Sequence, residues 1–266
     1  MFFAWLQHIL PLHAISRCVG FLAKSERPWI AGPIIRVFKW YFNVDLTLAE
    51  RENPSDYPSF NDFFTRRLKP ALRSPTGRLS APADGRVSAC GPIQDGTMIQ
   101  AKDKSFLVSD LIGKSDHPFG SGSYSTIYLS PRDYHRVHFP SAGKLVEAKY
   151  IPGTLFSVNQ QTTDHVDRLF ARNERLVIHL STEAGAMALV LVGAAIVAAI
   201  KPFWQSAPLQ AKTLYTQRFD DVEVLKGQEA GQFLLGSTVI LLTEYPVEWR
   251  ASQGDVIQMG SSMTKD

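Results

Sequence analysis

Short runs rich in β-branched and aromatic residues, each followed by a turn signal, recur through the chain from about residue 79 onward. The clearest runs are ADGRVSACG, YSTIYLSP, GKLVEAKYIPG, RLVIHLS, FDDVEVLKGQ and FLLGSTVILL. This spacing of strand and turn signals is typical of antiparallel sandwiches and barrels. We therefore predict an α+β fold, with a mainly helical part over residues 1–74 and a β-rich antiparallel, sandwich or barrel-like domain over residues 75–266.

One uncharged stretch, residues 184–200, resembles a membrane span at first reading. It has 17 residues, whereas a helix needs about 20 to cross the hydrocarbon. The stretch is interrupted by Gly193 and is rich in Val and Ile. We predict two short buried strands here, Met187–Val192 and Ala194–Ile200, in the core of the sheet.

The N-terminal part combines aromatic residues with positive charge. Through Phe42, five of the six charged residues are basic. The segment PIIRVFKWYF predicts a short helix that begins at Pro33, with Arg36 and Lys39 on one face. A helix of this kind suits a membrane interface, but an ordinary helix packed on the domain fits this segment equally well. Farther on, the capping box of Ser59 and Asp62 predicts a second helix.

Charge and cysteine content exclude several classes of protein. The net charge of +3 gives no case for nucleic-acid binding. The two cysteines, Cys18 and Cys90, are far apart and lack CxxC spacing. This excludes a disulfide scaffold and a cysteine zinc site, and it is compatible with a reducing compartment.

Three weak signals together suggest nucleophilic chemistry. In FLLGSTVILL, Gly236 and Ser237 interrupt an apolar strand, which alone predicts a bulge or a tight turn. SPRDYHRVHFP carries His135 and His138, which could serve as bases; as metal ligands they lack a third partner of recognisable spacing. APADGRVSACG offers Asp84 in a turn before a strand. A nucleophilic serine needs such a base and a carboxylate to orient it.

Five segments resemble those of bacterial phosphatidylserine decarboxylases, in the order of that family. They are PADGRV, SPRDYHRVHFP, IPGTLFSVN, LFARNER and KGQEAGQFLLGSTV, and the resemblance runs from about Phe60 to Leu242. It implies a proenzyme that cuts itself at Gly236–Ser237 into a β chain, residues 1–236, and an α chain, residues 237–266. The two chains would form a heterodimer, with a higher oligomer left open.

The resemblance also implies roles for individual residues. Ser237 would attack the carbonyl of Gly236, which has no Cβ to obstruct the approach. His138 would be the base and Asp84 would orient it. Elimination across Cα–Cβ of Ser237 would then break the ester, and loss of ammonia would leave a pyruvoyl group at the new N-terminus. This group is the cofactor, and no metal is expected. This group would form a Schiff base with the substrate amine and accept the electrons released as carbon dioxide leaves.

Two further assignments depend on the same resemblance. His135 would be the proton donor in decarboxylation, and Ser157 and Asn159 would line the headgroup pocket. The expected substrate is phosphatidylserine, the product is phosphatidylethanolamine, and the enzyme would lie peripherally on the cytoplasmic face of the cell membrane. The alternatives are a pyruvoyl decarboxylase for a soluble amino acid and a lipid- or carrier-binding β-domain without activity.

Overall fold

The structure is a computed structural model that describes residues 19–101, 104–194, 199–209, 213–234 and 237–265. The helices are α1 (Pro28–Phe42), α2 (Phe60–Phe64), α3 (Val108–Ile112), α4 (Gln160–Thr163) and α5 (Leu169–Arg172), with a 3-10 turn at Pro54–Asp56. The strands are β1 (Gly85–Ile93), β2 (Thr97–Ala101), β3 (Lys104–Leu107), β4 (Gly122–Leu129), β5 (Arg136–His138), β6 (Gly143–Ile151), β7 (Arg175–Thr182), β8 (Gly185–Gly193), β9 (Ile200–Pro202), β10 (Tyr215–Val224), β11 (Glu229–Phe233), β12 (Ser237–Thr243) and β13 (Val256–Ile257).

Within these residues the strands form three antiparallel sheets. The largest has eight strands in the order β10-β6-β7-β8-β12-β4-β1-β13. A three-stranded sheet has the order β5-β11-β9, and β2 pairs with β3. The eight-stranded sheet stays open, with β10 and β13 at its edges. The predicted α+β class is confirmed, and the β-rich part has the sandwich form rather than a closed barrel.

Both faces of the large sheet are buried, which explains its continuous apolar strands. On β12, Val239 and Leu241 face the core beneath the three-stranded sheet, which we call the first core. Ile240 and Leu242 face the opposite core, the second core, formed with α3, α5 and the β2–β3 hairpin. Successive side chains of a strand point to opposite faces, so a strand buried on both sides has no polar alternation.

The uncharged stretch at residues 184–200 belongs to the sheet, as predicted. The predicted strand Met187–Val192 is confirmed within β8, which pairs with β7 and β12. The second predicted strand, Ala194–Ile200, falls mostly on residues 195–198, which lie outside the described residues. In the part of the chain that the structure describes, no helix is long and apolar enough to cross a membrane.

Helix α1 begins earlier than the sequence predicted. The predicted start at Pro33 is wrong, because the helix starts at Pro28 and Pro33 lies inside it. Pro28 supplies the favoured proline of the first turn. Pro33 removes the hydrogen bond that would reach the carbonyl of Trp29, but both residues are exposed, so water can satisfy that carbonyl.

The N-terminal helices share a small aromatic core of their own. Ser59 caps α2 by accepting a hydrogen bond from the Asp62 amide at 3.2 Å, which confirms the predicted helix start. The Asp62 carboxylate accepts from the Ser59 hydroxyl at 2.5 Å instead of from the Ser59 amide, as a full capping box would require. Phe38 of α1 packs edge-on against Phe60, with ring centroids 4.9 Å apart. Residues 1–18 of the predicted helical part lie outside the described residues. The boundary at residues 74 and 75 stays a prediction.

Candidate active site

Several strands of the large sheet begin or end along one line. β12 begins at Ser237, which pairs with Leu129 at the end of β4 and with Gly193 at the end of β8. On the far side of β4, β1 begins at Gly85, directly after Asp84. The register therefore brings the Asp84 turn, the segment after β4 and Ser237 to the same end of the sheet.

Ser237 is enclosed completely. Its exposed fraction is 0%, and its Oγ has no hydrogen-bond partner among the described residues. Its side chain points to the first core, because it lies two residues before Val239 on the same strand. A buried hydroxyl without a partner costs about 1–3 kcal/mol, so its presence calls for an explanation. Gly236 lies outside the described residues.

Asp84 is held by partners other than a histidine. It forms an ion pair with Arg73, and its Oδ1 accepts a hydrogen bond from the Met259 amide at 2.8 Å. Its connection to His138 runs through the backbone, where the His138 amide donates to the Pro82 carbonyl at 2.8 Å. The structure thus brings the two segments together without a bond between the two side chains. The orienting role of Asp84 stays a prediction.

His138 has a partner at each ring nitrogen. Nδ1 lies 2.8 Å from the Gly227 carbonyl, and because a carbonyl only accepts, Nδ1 carries the proton. Nε2 then accepts a hydrogen bond from the Tyr134 hydroxyl at 3.0 Å. Burial lowers the pKa of His138 below its ordinary value, although the Gly227 hydrogen bond opposes the shift. A neutral ring with a lone pair at Nε2 is the form that a base requires.

His135 is the more deeply buried histidine, with an exposed fraction of 0%. Its Nδ1 donates to the Asp133 carbonyl at 2.8 Å, and in the described part of the chain its Nε2 has no partner. Burial, with the nearby Arg66 cation, lowers the pKa of His135 to about 3. The ring is therefore neutral, and Nε2 must take up a proton before it can donate one.

The segment that carries both histidines is fixed to the N-terminal helices. The Arg66 guanidinium donates from Nη2 to the Arg132 carbonyl at 2.6 Å and to the Asp133 carbonyl at 3.1 Å. Arg136 donates to the Thr65 carbonyl at 2.8 Å. The ring of His135 also packs on that of Phe64, with centroids 4.0 Å apart. The helical part therefore supports the candidate site directly.

The predicted headgroup residues, Ser157 and Asn159, lie on the loop between β6 and α4. Asn173 donates from Nδ2 to the carbonyls of Phe156 and Gly193, at 2.8 Å and 2.9 Å, and so ties this loop to the strand beside Ser237. Asn159 caps α4 by accepting from the Thr162 amide at 2.9 Å. The roles of Ser157 and Asn159 toward a substrate stay predictions.

A polar cleft of about 760 Å³ opens between the N-terminal helices and the three-stranded sheet. Its charged lining residues are Glu50, Arg51, Asp62, Arg66, Arg67, Arg136, Lys201 and Glu229. Of the residues described, the lining includes neither Ser237 nor the two histidines. Among the same residues, no group of three or more His, Cys, Asp or Glu side chains could hold a metal ion.

The sequence analysis missed the contribution of the LFARNER segment to this site. Asn173 is wholly buried and bonds the loop and Gly193, as described above. Glu174 follows it, and its carbonyl accepts from the Gly193 amide at 2.8 Å. The segment had been quoted only as part of a resemblance. Its polar residues between a helical turn and an apolar strand were the available signal.

Comparison with known proteins gives one consistent result. The family model described as phosphatidylserine decarboxylase matches residues 60–265, and a second model, described as PSD, matches residues 2–43. The phosphatidylserine decarboxylase proenzyme of Acinetobacter baylyi is 48% identical over 247 residues, which cover 90% of this chain and 85% of the relative. The proenzyme of the same name from Azotobacter vinelandii is 48% identical over 260 residues, or 92% and 90% of the two chains. That of Alcanivorax borkumensis is 46% identical over 251 residues, or 90% and 86%.

The first family match spans well over half of the chain. It includes the Asp84 turn, the histidine segment and Ser237, which the fold brings to one end of the sheet. The chain belongs to the phosphatidylserine decarboxylase family.

Proposed function

We propose that this protein is a proenzyme that cuts itself between Gly236 and Ser237 and then decarboxylates phosphatidylserine to phosphatidylethanolamine, a step of phospholipid synthesis. The observation that carries the proposal is the Ser237 hydroxyl, which is fully buried and unpartnered at the start of a central strand. Relatives named phosphatidylserine decarboxylase proenzyme, 46–48% identical over most of the chain, support it.

The self-cleavage assigns one task to each residue of the triad. The Ser237 hydroxyl attacks the carbonyl carbon of Gly236, and His138 takes the hydroxyl proton at Nε2. The neutral ring of His138 supports this role, but the Tyr134 hydroxyl must first leave Nε2. Asp84 orients the imidazole and stabilises its charged form. This step requires Asp84 to shift from the partners that it has here, Arg73 and the Met259 amide.

The second stage uses the pyruvoyl group made from Ser237. This group would supply a ketone carbonyl that bonds to the substrate amine and accepts the electron pair left on the substrate when carbon dioxide leaves. The buried, apolar surroundings of Ser237 suit such a group, because they exclude water from the reacting atoms. His135 moves a proton at Nε2, which carries none in the neutral ring and has no partner among the described residues. Ser157 and the side-chain amide nitrogen of Asn159 bind the headgroup of the substrate.

The exposed side of α1 supports peripheral attachment to the cytoplasmic face of the cell membrane. Trp29, Val37, Trp40 and Tyr41 of this helix are 64–81% exposed. Arg36 lies on the same side. A surface of aromatic rings and cations suits the boundary of an anionic membrane. Docking there lets the enzyme reach a headgroup without lifting acyl chains into water, which costs about 0.8 kcal/mol per CH₂.

Ser237→Ala tests the proposed function, because it removes the nucleophile and the precursor of the cofactor together. We expect a single uncut chain on a denaturing gel and no carbon dioxide release from phosphatidylserine. The parent should give two chains, and intact mass should find the smaller one lighter by one ammonia than residues 237–266. Thr238→Ala is the matched control, since Thr238 is the next residue and also has a buried, unpartnered hydroxyl, but on the opposite face. Normal cleavage of Ser237→Ala would refute the proposal.

A further inference from the structure

Glu174 lies in the same row of residues as Ser237. Its carbonyl accepts a hydrogen bond from the Gly193 amide at 2.8 Å, and Gly193 pairs with Ser237 on the next strand. Glu174, directly before β7, Gly193 at the end of β8 and Ser237 at the start of β12 therefore lie in one row across the sheet. With strands about 4.8 Å apart, the backbones of Glu174 and Ser237 are about 10 Å apart.

The side chains of Glu174 and Ser237 point to the same face of the sheet. Arg175 projects to the opposite face, where its guanidinium donates to backbone carbonyls of α3. Because successive side chains alternate, Glu174 projects to the first core, where its carboxyl meets the Tyr150 hydroxyl. Ser237 projects there too, two residues before Val239.

The residue between them leaves their shared face open. Gly193 has no side chain, so β8 contributes no atom beyond its backbone to the space between Glu174 and Ser237. Glu174 is only 8% exposed, and its Oε1 has no hydrogen-bond partner. The Ser237 Oγ is also unpartnered. The two side chains therefore share one face of the sheet two strands apart, and each has a buried polar atom without a partner among the described residues, which stability alone does not explain.

The carboxyl of Glu174 is close to half protonated near neutral pH. Burial raises the pKa of Glu174 to about 7, although the Tyr150 hydroxyl opposes the shift. In the described part of the chain, Tyr150 on β6 is the titratable group that faces it. Gly193 and Ser237, from the neighbouring strands, do not titrate in this range. Glu174 can therefore both give and take a proton around pH 7.

We propose that Glu174 is a proton-transfer residue of the self-cleavage at Ser237, an inference that rests on the proposed function. As the Ser237 oxygen bonds to the carbonyl carbon of Gly236, the C–N bond breaks and the nitrogen needs a proton. Glu174 gives that proton, while the hydroxyl proton passes to His138. In the elimination that follows, the Glu174 carboxylate takes the Cα proton of Ser237 as the ester C–O bond breaks. Glu174 ends protonated again, and the carboxylate of Gly236 leaves.

The test follows cleavage of the precursor rather than decarboxylation. Cell-free translation with a short pulse of labelled methionine gives fresh precursor, which is then moved to buffers between about pH 5 and about pH 9. Both products carry methionine, so a gel reports the rate of cleavage directly. We expect the parent rate to fall as pH rises above about 7, because Glu174 loses the proton that it must give. Glu174→Gln should cleave roughly 100-fold more slowly and without that fall.

Two further variants separate chemistry from structure. Tyr150→Phe removes the hydroxyl that lowers the pKa of Glu174, so cleavage should persist and the fall should move to higher pH. Glu174→Asp keeps a carboxyl on a shorter side chain and should cleave at an intermediate rate. Cleavage of Glu174→Gln at the parent rate, or an unchanged fall above pH 7 in that variant, would overturn the inference. If Glu174→Gln is not cleaved at all, the pH profiles of cleavage for the parent and for Tyr150→Phe are compared instead. The inference is overturned if the cleavage rate falls at the same pH in both. Ser237→Ala tests the proposed function separately, so the two failures are distinguishable.

Discussion

His138 has a partner at each ring nitrogen, and this determines what must change before it can act on Ser237. The Tyr134 hydroxyl occupies Nε2, the atom that would take the serine proton. Exchanging one neutral hydrogen bond for another costs about 0.5–1.5 kcal/mol at most. That is about a tenfold effect on rate, which is small beside the contribution of a general base. The observed hydrogen bond is therefore compatible with the proposed role.

Changing each histidine to asparagine should separate their roles. Asparagine keeps an N–H donor for the carbonyl that each Nδ1 contacts, but it lacks a basic Nε2. His138→Asn should leave the precursor almost uncut, with cleavage slowed by roughly 100-fold or more. His135→Asn should still cleave, yet the cleaved enzyme should decarboxylate phosphatidylserine poorly. A denaturing gel measures the first property and carbon dioxide release the second. Parent-like turnover of cleaved His135→Asn would remove His135 as the proton donor.

The sequence named some residues of the candidate site but not Glu174, which enters only as our proposal from the structure. Asp84, His138 and Ser237 came from a resemblance between segments, because no local pattern says that they meet. Glu174 was missed although its segment had been quoted. Its proximity to Ser237 depends on the pairing of β7 with β8 and of β8 with β12. Pairings between strands that distant in sequence are not contained in any single segment.

Helix α1 is an element with two different sides. Ala31 and Ile35 are buried in the N-terminal core, while Trp40 is 81% exposed. The sequence predicted this helix and its aromatic and basic character, but it placed the start at Pro33. A proline is favoured in a first turn, and the pattern alone cannot tell a first turn from an exposed second turn that tolerates one. Within the described residues, the aromatic rings on this side of α1 are left largely uncovered.

Reversing the charge of α1 tests whether the exposed side of this helix lies against a membrane. We expect Arg36→Glu with Lys39→Glu to weaken binding to anionic vesicles, because each cation near such a surface contributes about 1 kcal/mol. Self-cleavage should be unaffected, since neither residue belongs to the candidate site. Sedimentation with the vesicles measures binding, and the difference from the parent should shrink at high salt.

The control for this experiment reverses two exposed charges far from α1 in sequence. Lys114→Glu with Arg218→Glu makes the same change in net charge, and both residues are exposed. Binding of this variant should stay close to that of the parent. Equal loss in both variants would mean that net charge, not the α1 surface, governs the attachment.

For the whole molecule, the position of β12 decides what self-cleavage leaves behind. The proposed cut falls directly before this strand, so β12 would belong to the short α chain. Yet β12 lies between β8 and β4 in the middle of the large sheet. The α chain would also carry β13, which pairs with β1, and Met259, whose amide donates a hydrogen bond to Asp84. A cut at the start of β12 therefore breaks the backbone without dividing either core.

The scale of this burial leads us to expect that the two chains would stay together after the proposed cut. Four residues of β12, Val239 to Leu242, are each 0% exposed. Burying a side chain of this size contributes about 1.5–3 kcal/mol, so the four together contribute roughly 6–12 kcal/mol. The strand also forms hydrogen-bonded ladders on both edges. Release of the α chain would expose the first core and the second core at once. Its dissociation should therefore coincide with unfolding of the whole protein.

We therefore expect the cleaved enzyme to elute as one species under native conditions and to separate only in denaturant. Its urea transition should be single, and the α chain should be released at the same midpoint.

Leu241→Ala removes a buried side chain from the middle of β12 and should lower the free energy of unfolding by about 2–5 kcal/mol. Val256→Ala is the control in the same chain, because Val256 is 67% exposed and its loss should change stability by no more than about 0.5 kcal/mol. Size-exclusion chromatography, followed by a gel of each fraction, reports both chains. Elution of the α chain alone in native buffer would show that β12 is held less firmly than its place in the sheet requires.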